Sequence, residues 1–278
     1  MEIDKVKVGE RIQKIRKNVG LSQAEVAHKL GIQRPSVSQI ESGERNLSAD
    51  ELIKLAELFK VLPEEIFRDD LEVLPRIERN NNDSVEITIF RHGEAMDDLY
   101  NQYGGWADPE LSPSGINKAF LVAQNLKRKK ENFEIIFTSP LKRARQKAEI
   151  ISREINVDVR VLQYLKERNT YGLLCGINKD VAKKKFPDLV ADYESGKYVL
   201  GSERDEDFNA RIPMIFEYIH KSGFSRVCCV THGKMMTAII KNILKMNPDN
   251  LDEGCMLRME MTGKKYYYVQ SEGIKFGR

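Results

Sequence analysis

The chain has 278 residues, 41% hydrophobic and 31% charged, with a formal net charge of +3. This length suits one large domain or two small ones, and no apolar run is long enough for a membrane span. The charge is too small to argue for nucleic acid by itself, and Met1-Glu2-Ile3-Asp4-Lys5 lacks the layout of a signal peptide, so a cytoplasmic protein without a membrane partner is expected.

The first stretch reads as helices only. Val8, Ile12 and Ile15 recur at helical spacing across Val8–Asn18, and Gly20 ends that run. Ser22 is placed to cap Gln23–Leu30, with Glu25 completing a capping box and Gly31 past the end. A third helix spans Arg34–Glu41, with Pro35 in its first turn and Ser42-Gly43 after it. Ser48 caps a fourth, Ala49–Phe59, and Pro63–Phe67 is a short fifth. Two short helices joined by a tight Gly turn are a helix-turn-helix signal.

The strings Leu21-Ser22-Gln23-Ala24-Glu25-Val26-Ala27 and Val37-Ser38-Gln39-Ile40-Glu41-Ser42-Gly43, with Gly31 between them, resemble the Cro/phage-repressor helix-turn-helix family. The resemblance covers about residues 6–67. It implies that the Arg34–Glu41 helix enters the major groove. Arg34, Ser38 and Gln39 would then meet base edges, and Ser36 a base or a phosphate. Gln23, Arg45 and Asn46 would hold phosphates. Residues 1–60 carry 11 Lys and Arg against 9 Asp and Glu, a weak basic excess, so a helical module that binds protein or dimerises stands as the alternative. A DNA-binding module this small usually works as a homodimer on two half-sites.

A polar, Asn-rich run, Arg76-Ile77-Glu78-Arg79-Asn80-Asn81-Asn82-Asp83-Ser84, marks a linker. The reading is therefore a helix-turn-helix domain over 1–70, a linker over 71–84 and a second domain over 85–278. In the second domain the patterning predicts strands at 85–90, 134–138, 157–162, 226–230, 256–261 and 265–270. It predicts helices at 114–130, 140–155, 179–186, 205–221 and 234–244. Such alternation predicts an α/β domain, its sheet mostly parallel and covered by helices on both faces. The last two strands read as a hairpin around Thr262-Gly263. The whole chain is thus a two-domain protein, an all-α five-helix domain followed by an α/β domain. Of the four cysteines, Cys228 and Cys229 fall in a strand and read as small core residues; none has C-x-x-C spacing.

Two of only four histidines close matching runs. Val85–Phe90 leads into Arg91-His92-Gly93-Glu94, and Arg226–Val230 into Thr231-His232-Gly233. Neighbouring strands would bring both imidazoles to one crevice beyond the carboxyl ends of the sheet. Glycine after each His allows close approach of backbone and ligand, and Arg91 adds a forked cation suited to phosphate. Taken singly, each His also fits a satisfied core position. Lys142, Arg143, Arg145 and Lys147 also fit a solvated basic helix face, and Glu167 between Lys166 and Arg168 an exposed ion pair. His28 and His220 have no companions.

The Arg91–Glu94 tetrad, Ser139-Pro140-Leu141-Lys142-Arg143-Ala144, Glu167-Arg168 with Tyr171-Gly172, and Thr231-His232-Gly233 resemble, in order, the segments of the histidine phosphatase (phosphoglycerate mutase-like) superfamily. The resemblance covers about residues 84–278. It implies that His92 is the nucleophile of a phosphohistidine intermediate and that Arg91, Arg143 and His232 form a cationic clamp. It further implies that Glu167 is the general acid. Gly93, Asp98, Arg168, Tyr171 and Gly233 fall at substrate-binding positions. The scheme calls for no metal and no cofactor. Two departures stand out. Asp98 occupies a position where many members have Asn on the phosphate, and the paired arginines of mutases are missing from Asp188–Leu200. The reading is a DNA-binding protein with a phosphatase acting on a phosphorylated small molecule or phosphoprotein, with metabolite-responsive transcription regulation as its consequence. The alternatives are a repressor with an inactive, ligand-sensing phosphatase-like domain, and a phosphoglycerate mutase-type isomerase.

Overall fold

A computed structural model describes residues 4–59, 61, 63–67 and 83–277. The chain divides into two compact units, Met1–Glu78 and Arg79–Arg278. Residues 71–82 of the segment read as a linker lie outside the described residues.

The first unit contains α1 (Lys5–Asn18), α2 (Gln23–Leu30), α3 (Arg34–Glu41), α4 (Ala49–Phe59) and α5 (Pro63–Phe67). The local chemistry that stops and starts these helices is visible. Asp4 caps α1 through Val6 and Lys7 amides. Ser22 and Glu25 close a reciprocal capping box at α2, and Gly31 ends it at φ 71°, where a side chain is strained. Ser48 and Glu51 repeat the box before α4. Ile12, Ile15, Val26, Val37, Ile40, Leu55, Phe59 and Ile66 form the core. Glu41 is buried among them. Arg16 Nε and Nη2 donate to it at 2.5 and 3.0 Å, and Gln23 Nε2 at 2.9 Å.

The second unit runs β1 (Ser84–Arg91), α6 (Met96–Leu99), α7 (Pro113–Arg128), β2 (Ile135–Thr138), α8 (Lys142–Ile155), β3 (Val159–Val161), α9 (Lys179–Lys185), α10 (Pro187–Glu194), α11 (Asp205–Ser222), β4 (Arg226–Thr231), α12 (Gly233–Asn242), β5 (Pro248–Thr262) and β6 (Lys265–Phe276). Among the described residues the sheet order is β3-β2-β4-β1-β5-β6. The β3–β2, β2–β4 and β4–β1 pairs are parallel; β1–β5 and β5–β6 are antiparallel. The sheet is thus mixed, parallel on one side of β1, with the expected hairpin closing at Thr262 and Lys265. Alternate residues of the central strands go to opposite faces. Ile136, Cys228, Val230 and Phe90 pack with Ala119, Ala123, Ala144 and Ile151 of α7 and α8. On the other face Phe137 meets Tyr218 of α11 edge-on at 5.4 Å. Cys228 and Cys229 are both buried, as core residues of β4. Among the described residues no helix is long and apolar enough to cross a membrane.

Candidate functional site

Strand register assembles the site. Arg91, last in β1, is paired with Thr231, last in β4, so the next residues, His92 and His232, leave the sheet side by side. Their rings lie 4.9 Å apart, edge to face. β2 flanks β4, and Ser139 just beyond it places its Oγ 2.6 Å from His232 Nε2. Arg143, in the first turn of α8, enters the same end of the sheet.

The hydrogen bonds define the state of His92. Its Nδ1 is 2.6 Å from the Gly93 carbonyl, which only accepts, so Nδ1 carries the proton. Nε2 therefore presents a lone pair, and Arg143 Nε donates to it at 3.2 Å. Burial, then the Arg143 charge, push the His92 pKa well below the ordinary imidazole value. His232 is shifted the same way, again by burial first and Arg143 second. Both rings are neutral near pH 7. Arg143 is buried rather than part of a solvated face; its two terminal nitrogens donate to Ala107 and Gly105 carbonyls at 2.7 and 2.9 Å. Lys147, the next position on that face, is also buried and donates to the Arg91 carbonyl at 2.6 Å. Its burial lowers its pKa to about 8. The basic start of α8 thus splits, two cations inward and two outward.

Among the described residues, Arg91 Nε, His232 Nδ1 and Arg168 Nε are buried here without partners. Arg91 Nη1 donates to the Leu251 carbonyl at 2.6 Å. Gly233 keeps room for this guanidinium, since an added Cβ would lie 3.3 Å from Arg91 Nε. Gly93 serves packing instead, because a Cβ there would meet Gly115 Cα at 3.1 Å. The Glu167 carboxylate accepts from the Arg168, Met235 and Lys234 amides at 2.9, 3.2 and 3.3 Å, at the amino end of α12.

A cavity of about 550 Å³ gathers these groups: Arg91, His92, Arg143, Glu167, Arg168, Tyr171 and Gly233 line it, with Asp97 and Asp98 on one wall and Lys179, Lys234 and Lys241 around it. Arg168 also pairs with Asp205 and lines an adjoining cavity of about 500 Å³ that contains Tyr193 and Tyr198. The Tyr171 ring packs at a tilt against those of Tyr103 and Tyr193, 5.2 and 5.0 Å away. Asp98 is turned toward its own helix start, where Oδ2 accepts from the Ala95 amide at 3.0 Å. Asp97, Ser139 and Lys147 had no role in the sequence reading. Ser139 lay inside a quoted motif, whereas nothing in the order of residues signals that Asp97 rather than Asp98 turns inward.

In the first unit, Arg34, Ser38 and Gln39 are exposed on α3 and Ser36 is half-buried. Arg45 is tied to Glu51 at 2.8 Å, and Asn46 is exposed. Gln23 is committed to Glu41.

Comparison with known proteins fits this geometry. Residues 87–271 match the histidine phosphatase superfamily (branch 1), and residues 12–66 match a helix-turn-helix family. A phosphoglycerate mutase of Schizosaccharomyces pombe is 30% identical over 174 residues, 59% of this chain and 82% of that protein. A 2,3-bisphosphoglycerate-dependent phosphoglycerate mutase of Nitrobacter winogradskyi is 31% identical over 174 residues, 59% and 84% of the two chains. Among solved structures, a phosphoglycerate mutase of Bacillus anthracis aligns with TM-score 0.58 and 21% identity over 70% of this chain and 96% of its own. An alpha-ribazole phosphatase of Shigella flexneri aligns with TM-score 0.57 and 18% identity over 66% and 95%. With two thirds of its length matched and the paired histidines at adjacent strand ends, the chain belongs to the histidine phosphatase superfamily, branch 1, and carries a helix-turn-helix module ahead of that domain.

Proposed function

We propose that the second unit is a phosphatase that cleaves phosphoesters through a phosphohistidine on His92 Nε2. The observation that carries this is a buried lone pair with unpartnered donors near it. The His92 Nε2 lone pair, held toward Arg143 Nε, accompanies Arg91 Nε and His232 Nδ1, both buried with nothing to bond. Buried donors without partners are costly, and a phosphoryl group bonded to His92 Nε2 satisfies both. Ser139 donating to His232 Nε2 leaves the ring proton on Nδ1 for a phosphoryl oxygen. The lone pair of His92 attacks phosphorus, the ester oxygen leaves with the bonding pair, and water later releases the phosphate. Arg91, Arg143 and His232 neutralise the equatorial oxygens. Glu167, whose carboxylate accepts three amides in the free protein, takes up a proton when the dianionic substrate arrives and passes it to the leaving oxygen. Arg168, Tyr171 and the neighbouring cavity receive the rest of the substrate, a phosphorylated small molecule or a phosphoprotein.

A mutase reading is favoured by the names of the similar sequences. Against it, α10 and the residues that follow to Leu200 contain no arginine to grip a second acidic group. One assay tests both readings. Phosphate release from a panel of esters, lost at least about a thousandfold in His92→Ala, supports the phosphatase. Isomer exchange of phosphoglycerate primed by 2,3-bisphosphoglycerate, with no net phosphate, contradicts it. A folded protein that releases phosphate from no ester moves the reading to a ligand sensor.

The first unit, in the same proposal, binds DNA through α3 as a homodimer, so that ligand state in the second unit tunes operator affinity. Identical DNA affinity with and without a bound phosphate analogue at fixed salt would remove that coupling.

A further inference from the structure

Asp97 lies in α6 and is buried, 7% exposed, yet it lines the cavity that holds His92. Its Oδ1 has no hydrogen-bond partner. Its Oδ2 fills the space left by Gly104, where an added Cβ would lie 2.6 Å away. The adjacent Asp98 is committed to the Ala95 amide, so of the two acids only Asp97 presents an unsatisfied, buried oxygen. A bare carboxylate facing a phosphoryl dianion is repelled, whereas a protonated carboxyl there donates a hydrogen bond.

We propose that Asp97 takes up a proton when the cavity receives a phosphoryl group and donates a hydrogen bond to it. This rests on the reading of the cavity as a phosphoryl site, and it adds a ligand contact that changes charge on binding. The proton comes from solvent and returns there on release, so no bond is made or broken. Burial already raises the Asp97 pKa; Arg143, from α8, opposes the shift, and Asp98, from the same turn, adds to it. Glu167, Arg91 and His92 share the cavity wall. A dianion among them moves the balance further toward the neutral acid, as in sites where a carboxylic acid is kept protonated to donate.

The test needs no turnover. Sulfate stays doubly charged from pH 5 to 8, so calorimetric titration of the full chain with sulfate, in two buffers of different ionisation enthalpy, counts the protons taken up by the protein. His92 and His232 contribute equally to parent and variant and cancel in the comparison. The parent takes up about one proton more than Asp97→Asn, and its affinity falls more steeply with pH, by up to about tenfold per unit. The variant, whose amide donates without a proton, binds more tightly than the parent at pH 8. Asp97→Ser gives the same loss of uptake, and Asp98→Asn, whose parent acid is committed to the Ala95 amide, keeps the parent's value. Equal uptake by parent and Asp97→Asn, or loss of that proton in Asp98→Asn instead, overturns the assignment. If the proteins hydrolyse esters but show no such difference, the phosphatase reading stands and this proposal falls. If the parent binds no sulfate at all, both fall.

Discussion

At His92, charge and tautomer are set by neighbours rather than by the histidine itself. A carbonyl takes the Nδ1 proton, and burial together with Arg143 keeps the ring neutral. The sign of the resulting pH effect follows: a depressed imidazole pKa means the nucleophilic form persists below the ordinary titration range. With only four histidines in the chain, an NMR titration of the ring protons separates them. The His92 and His232 rings should stay neutral below the pH at which a free imidazole protonates; ordinary protonation of either would contradict the account. This scale is also where the sequence was most legible. Arg91, His92, Arg143, Glu167 and His232 were named from four short motifs; the structure brings the first four to one cavity and sets the His232 ring 4.9 Å from that of His92. Lys147 escaped because its burial depends on packing under Phe90 and near Gly254, contacts distant in the chain. Asp97 escaped because two adjacent acids are equivalent in a string; only the turn of α6 separates inward from outward.

At the scale of elements, helices with clear caps were readable to within a few residues, since Ser22, Glu25, Gly31 and Ser48 act locally. The elements that escaped are short: α6 is four residues with two acids, and α10 follows α9 with only Phe186 between them. β5 extends to Pro248, beyond the expected 256–261, because register shifts at Leu251/Met256 interrupt its alternation. The antiparallel pairing of β5 with β1 is long-range and strand alternation does not reveal it, which is why a mostly parallel sheet becomes mixed on that side. The Glu41 clamp ties α1, α2 and α3 together and gives a prediction at this scale. Burial alone would raise the Glu41 pKa, but bonds from Arg16 and Gln23 outweigh it and hold the acid below its ordinary value. A lowered pKa contributes stability that is present above the unfolded value and lost as pH falls through the folded one. Glu41→Gln leaves Arg16 buried without its counter-charge, at a cost of about 3 kcal/mol. Hydrogen exchange of α1 and α3 in the full chain should show that loss at pH 7, and parent protection should decline below about pH 4. Unchanged protection in the variant would mean that the clamp contributes little.

At the scale of the whole molecule, a helix-turn-helix module and a histidine phosphatase domain share one chain. The weak basic excess of the first unit makes salt dependence informative, since affinity carried by phosphates falls steeply with salt. Arg34, exposed at the start of α3, is the residue expected to read a base. Arg34→Ala should cost about 1–3 kcal/mol on the preferred site and relax preference at one base pair. Equal losses on all sequences would make Arg34 a phosphate contact instead. The two-module organisation was visible in the change from helical to alternating patterning, whereas the natural ester has no code in the loops that line the cavities.

The central claim is covalent. Brief incubation of the parent with a phosphoester labelled in its phosphoryl group, followed by quenching in alkali, should leave label on the protein that is stable to base and lost in acid. The account predicts one labelled site, at His92, and none in His92→Ala. Turnover with no label on the parent, or equal label on the variant, would contradict it.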